Sequence, residues 1–113
     1  MTAPADASAR DLLAGGLRAA PGNVLSVPEL AALARQSGID AGRFDGALAE
    51  LARLGMVVVL EHRSPDPHLA SIDLRTAAAV NPDLPDGPEH ARRIAQEHWE
   101  RRLRSFLAAH RCG

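Results

Sequence analysis

Leu12, Leu13 and Leu17, with Ala9, Ala14 and Ala20 filling in, recur at helical spacing through residues 7–20 and predict a first helix. Gly15 and Gly16 interrupt it at a cost of about 1 kcal/mol each relative to alanine, so either another element packs closely there or the helix breaks. Pro21-Gly22-Asn23 reads as a turn and Val24-Leu25 as a short extended stretch. Ser26-Val27-Pro28-Glu29 then has the chemistry of a helix start. Ser26 can cap the exposed amides, Pro28 suits the first turn, and Glu29 can reach back to the Ser26 amide. Leu30, Leu33 and Ala34 mark the buried side of this second helix, which stops at Ser37-Gly38. Asp40 is placed to cap a third, in which Phe44, Leu48, Leu51 and Leu54 recur every three or four residues before Gly55.

Beyond Gly55 the period changes. Met56-Val57-Val58-Val59-Leu60 is apolar and β-branched, and residues 69–74 set Leu69, Ser71 and Asp73 against Ala70, Ile72 and Leu74. These predict the two strands of a hairpin, joined by a polar loop that Pro65 and Pro67 break. Residues 75–85, with Asn81-Pro82 and Leu84-Pro85, read as a connection to a last helix, capped by Asp86 and reaching about His110. At 1.5 Å per residue that helix is about 36 Å long. Arg92, Gln96, Trp99, Leu103, Phe106 and His110 follow one another at heptad spacing and predict a seam that packs on another helix. The seam can fold back on the first helix or meet its symmetry mate. A twofold dimer through Trp99, Leu103 and Phe106 is the expectation, with a protein partner on the same helix as the other use of that surface. Arg93, Arg101 and Arg104 lie opposite, among Glu97 and Glu100, as a solvated face or a contact for phosphate or an acidic partner.

The run SVPELAALARQSGID at 26–40, followed by RFDGALAELARLGMV at 43–57, resembles the winged helix-turn-helix superfamily. It looks like the stretch of MarR-, ArsR- and PadR-type repressors in which a capped helix, a glycine-containing turn, a helix and a Leu-Gly-hydrophobic exit succeed one another. The resemblance covers roughly residues 7–75 and implies a mainly α fold with a small β-wing, here followed by a long C-terminal helix. The expected organisation is a winged-helix domain at 1–80, a proline-containing linker at 81–85 and a dimerisation helix at 86–113. In DNA-binding members the third helix enters the major groove. The resemblance therefore implies a small dimeric transcriptional regulator, with Arg43, Arg53 and Arg63 of the wing as DNA contacts. Against those three stand Asp45 and Glu50 on the same helix, which would face a polyanion, and the small residues Ala41, Gly42, Gly46 and Ala49. Arg53 also stands three residues from Glu50, the spacing of a helical ion pair. A protein-interaction module on the same fold is the alternative, since winged helices serve both uses.

Composition narrows the classes further. The chain has 113 residues, 46% hydrophobic and 24% charged, which is enough for one self-sufficient core and far from disorder. Residues 1–88 carry seven arginines against eleven carboxylates, a net −4. Residues 89–113 carry six against three, a net +3. A polyanion or acidic partner would meet the last helix first. The start of the chain lacks the pattern of a secretory signal and no apolar run approaches a membrane span, so a cytoplasmic protein that makes no membrane contact is expected. The single cysteine, Cys112, permits no intrachain disulfide or cysteine-based zinc cluster. His62, His68, His90, His98 and His110 form no recognised ligand pattern. That leaves only His110-Arg111-Cys112 across a dimer, or the wing histidines as a pair, for a metal- or ligand-responsive sensor. Neither a catalytic set nor a phosphate-binding loop is legible, and no enzyme activity, cofactor or metal is expected.

Overall fold

The computed structural model describes residues 3–61 and 73–111, with side chains over 7–61 and 73–109. The described part is mainly helical, with a small three-stranded antiparallel sheet and a long C-terminal helix. Helix α1 spans Ala3–Ala19 without a break. The next helix packs closely at Gly16, where a Cβ would lie 3.3 Å from a Leu33 methyl and 3.7 Å from one of Leu30. Of the two outcomes the glycine pair allowed, close packing is the one found.

After a 3-10 turn at Pro21–Asn23, strand β1 (Val24–Ser26) runs directly into helix α2 (Val27–Gln36). The capping box is made as the sequence predicts. The Ser26 hydroxyl accepts from the Glu29 amide at 3.2 Å and donates to its carboxylate at 2.7 Å, and that carboxylate accepts from the Ser26 amide at 3.3 Å. Helix α3 (Ala41–Arg53) begins on Asp40, whose carboxylate accepts from the Arg43 amide at 2.8 Å. Strand β2 is Val57–Leu60.

The third strand departs from the expectation. It is β3, Thr76–Ala79, and not residues 69–74, of which 73 and 74 lie outside any strand and 69–72 outside the described residues. It lies between the other two, in the order β1-β3-β2, with Ala78 opposite both Val24 and Val58, and Ala77 opposite both Leu25 and Val59. Alternation marks a strand with one wet face, whereas this central strand is covered on both, and alanine is the residue that admits a helix closely on each side.

Two apolar layers result. On one face Val57 and Ala77 join Leu13, Leu17, Leu30, Phe44 and Leu51 from the first three helices. On the other, Val24, Leu60 and Ala78 meet Ala91 and Ala95 of helix α4 (Gly87–Arg111), with Val58, Val80, Ile94 and Trp99 around them. The stripe of α4 that faces the molecule thus runs through Gly87, Ala91 and Ala95, and Arg92 of the expected heptad seam is exposed. That seam followed the largest side chains, while the sheet is approached through the smallest. Among the described residues no helix is long and apolar enough to cross a membrane.

Gly87 sets how near α4 comes to the end of β3. A Cβ there would lie 2.6 Å from the Asn81 carbonyl oxygen and 3.1 Å from a Val80 methyl, so backbone would have to move. Gly87→Ala should therefore destabilise the fold by about 1–3 kcal/mol, the usual cost of overpacking. Chemical denaturation measures this, and an unchanged midpoint would mean that α4 is not held at this depth.

Candidate functional site

The outward side of α3 is built from small residues. Ala41, Gly42, Asp45, Gly46, Ala49, Ala52 and Arg53 are exposed, while Phe44, Ala47, Leu48 and Leu51 turn into the core. Small side chains at this surface leave hollows beside the helix. One cavity of about 330 Å³ lies between α2 and α3, floored by Val27, Ala31, Ile39 and Phe44, with Arg35, Asp45, Asp73 and Arg75 among its rim. A second, of about 410 Å³, lies over the other flank of α3, on Leu48, Ala49, Ala52 and Val59, and is edged by Asp45, Glu61 and Arg75. Asp45 and Arg75 line both, so the two hollows form one trough across the outer side of α3.

The guanidinium at the centre of this trough is fixed. Arg75 Nε donates to Asp73 Oδ1 at 2.9 Å and a terminal nitrogen donates to Oδ2 at 2.7 Å, while the Arg75 amide also donates to Oδ1 at 3.0 Å. These bonds hold the Asp73 carboxyl below its ordinary range and raise Arg75, which also feels Asp45 and Glu61. Two-pronged pairing of this kind commits both groups to one geometry. Asp45 and Glu61 have no ion-pair partner among the described residues.

The residues expected to touch DNA are differently placed. Arg43 is half-buried in the first turn of α3. Arg53 is exposed, but its Nε donates to Glu50 Oε2 at 3.1 Å and a second guanidinium nitrogen bonds the other oxygen of that carboxylate. Arg10 of α1 reaches the same group at 3.5 Å. The bond to Arg53 lowers the Glu50 pKa and raises that of Arg53, so this pair is the helical one that its spacing allowed. Arg63 lies outside the described residues, as do His62, His68 and Cys112.

No protein-family model, curated protein or solved structure matches the chain.

The trio expected at an interface on α4 divides. Trp99 is half-buried against the outer face of the sheet and belongs to the second core. Leu103 and Phe106 are half-buried further along. There Arg102 lies 5.6 Å from the centre of the Phe106 ring and donates to the Asp73 carbonyl oxygen at 3.3 Å, which ties α4 to the rim of the trough. Asp73, Arg75 and Glu61 carried no role in the sequence reading because they fell in the expected strand, linker and loop. The one signal available was Asp73-Leu74-Arg75 itself, two opposite charges at i, i+2 on one side of an extended chain.

Where α4 passes the start of α2, His98 is half-buried and its Nε2 has no hydrogen-bond partner among the described residues. Burial lowers its pKa, with Arg101 and Arg102 adding to this and Glu29 opposing it. Glu29 is itself held low, chiefly by the Ser26 hydroxyl. Each of these groups binds a proton less readily folded than unfolded, so stability is full above the unfolded values and is lost as pH falls. The thermal midpoint should begin to fall as pH drops below about 6.5, the ordinary value for His98. A second decline belongs to Glu29 and Asp73 in the carboxylate range. His98→Gln should remove only the first step, and a midpoint that is flat or rises between pH 7 and 5.5 would contradict this arrangement.

Proposed function

We propose that this chain is a winged-helix domain that works by binding another protein rather than by reading DNA. The element order α1-β1-α2-α3-β2-β3, with β3 paired between β1 and β2, supports the winged-helix reading. So does the α2–α3 pair joined through Ser37-Gly38-Ile39-Asp40. Fold alone does not decide the use to which it is put.

The observation that carries the choice is the outward side of α3. A helix that enters the major groove presents donors at its exposed positions, most often arginine, lysine, asparagine or glutamine. Here those positions are alanine, glycine and Asp45, with Arg53 held by Glu50. Glu61 and Asp73 add carboxylates at the flanks, where a phosphate backbone would have to approach. What this surface offers is apolar hollows with charged rims, the character of a protein-binding patch.

The regulator reading, with Arg43, Arg53 and Arg63 on DNA and a dimer through α4, makes a different forecast for one experiment. Labelled duplexes of mixed sequence are titrated with the full chain across a salt series. The protein-binding reading expects no salt-dependent association at low salt and no effect of Arg43→Glu. Binding that weakens along a log–log slope of about −0.9 per phosphate contact, and that Arg43→Glu abolishes, would establish the regulator instead.

A further inference from the structure

We propose that the trough across α3 takes a peptide segment of a partner protein in which a lysine or arginine stands close to a large apolar side chain. This rests on the protein-binding reading and names the chemistry of the partner. The apolar side chain occupies the cavity between α2 and α3, and the cation lies on the far side of Asp45, between Asp45 and Glu61.

The two hollows differ in charge, and that difference sets the order. The cavity between α2 and α3 has two guanidinium groups, Arg35 and Arg75, and two carboxylates, Asp45 and Asp73, on its rim, so it is balanced. Its floor is made of the edges of Val27, Ile39 and Phe44, all nearly inaccessible core residues, together with Ala31. A volume of about 330 Å³ is at the small end of ligand cavities, the scale of one large side chain with its flanking backbone. The second hollow has two carboxylates, Asp45 and Glu61, against one guanidinium, and that guanidinium already gives two of its bonds to Asp73. Asp45 and Glu61 are exposed and without an ion-pair partner among the described residues, so the charges of the described residues around this hollow sum to a net negative that draws a cation. Its floor of Leu48, Ala49, Ala52 and Val59 suits the methylene stem of a long basic side chain, which covers apolar surface while its head stays with the carboxylates.

Arg75 makes the site selective. Fixed by Asp73 at the boundary of the hollows, it leaves the middle of the trough unfavourable to a second cation, and Asp45 and Glu61 disfavour an anion. Repulsion of the wrong charge is as much a part of specificity as attraction of the right one. A duplex or an acidic peptide is turned away by the same groups that hold a basic one.

The test is a phage-displayed random linear peptide library, panned on the immobilised full chain. Panning is run in parallel on Asp45→Lys/Glu61→Lys, which reverses the charge at exposed positions, and on Ala31→Leu, which fills the cavity between α2 and α3. Circular dichroism and thermal melts confirm that each variant folds. The expected result is enrichment of sequences that pair Lys or Arg with Leu, Ile, Met, Phe or Trp. A synthetic peptide of the enriched type should bind the wild type at least about tenfold more tightly than the charge-reversal variant, the scale of a lost close charge pair, and should bind Ala31→Leu more weakly too. Acidic peptides, no enrichment, or binding that both variants leave unchanged would overturn the proposal. Peptides that ignore both variants would still leave a protein-binding domain with its site elsewhere, whereas salt-sensitive DNA binding would overturn that broader reading.

Discussion

The contact of Ala78 with Ala91 and Ala95 joins the two layers of this molecule. A three-stranded sheet that is apolar on one side rests on its helices and leaves its other side to water. Here Val24, Leu60 and Ala78 make the second side apolar as well. Exposing it would leave a contiguous apolar patch on a small protein. Helix α4 covers it, and the approach is close because three successive turns offer Gly87, Ala91 and Ala95. Burial of apolar area is the main favourable contribution in a domain of this size, so α4 is part of the fold and not an appendage to it.

Covering the sheet with α4 also distributes the charge. The chain is acidic over its first 88 residues and basic beyond them, and part of that asymmetry is spent internally. Arg102 donates to the backbone of Asp73, and His98 and Arg102 both act on Glu29 at the start of α2. What stays outside is a strip of exposed arginines on α4, with Asp45 and Glu61 beside α3. The basic and acidic surfaces therefore lie on different elements, and one partner need not satisfy both.

The first three helices were legible in the sequence because each carries large apolar residues at the right period, and the second and third also carry a cap at their start. Ser26 with Glu29, and Asp40, are found where the pattern placed them. Strand β2 was legible as a β-branched run. Strand β3 was not, since Thr76-Ala77-Ala78-Ala79 has weak strand propensity, and its identity comes from neighbours on both edges and both faces that no local pattern records. The sheet-facing stripe of α4 was missed for the same reason, because alanine carries little periodic signal beside Trp99, Leu103 and Phe106. The candidate site was legible only in part. Asp45 was visible as an obstacle to DNA, but its meeting with Arg75, thirty residues on, depends on where β3 ends up.

Small residues on α3 bear on function through the same physics that places α4. At the sheet, alanines close the gap because a partner of the same chain fills it. Along α3, Ala41, Ala49 and Ala52 leave gaps that no described side chain fills, and the cavity between α2 and α3 rests on Val27, Ile39 and Phe44, core residues already fixed by packing. A rigid floor with a rim pinned by the Asp73–Arg75 pair requires little ordering when something binds, which lowers the cost of association. A helix that reads bases works the other way, with long flexible donors projecting outward. The outer side of α3 thus offers hollows in place of projecting donors, and that is the physical ground for proposing a protein partner there.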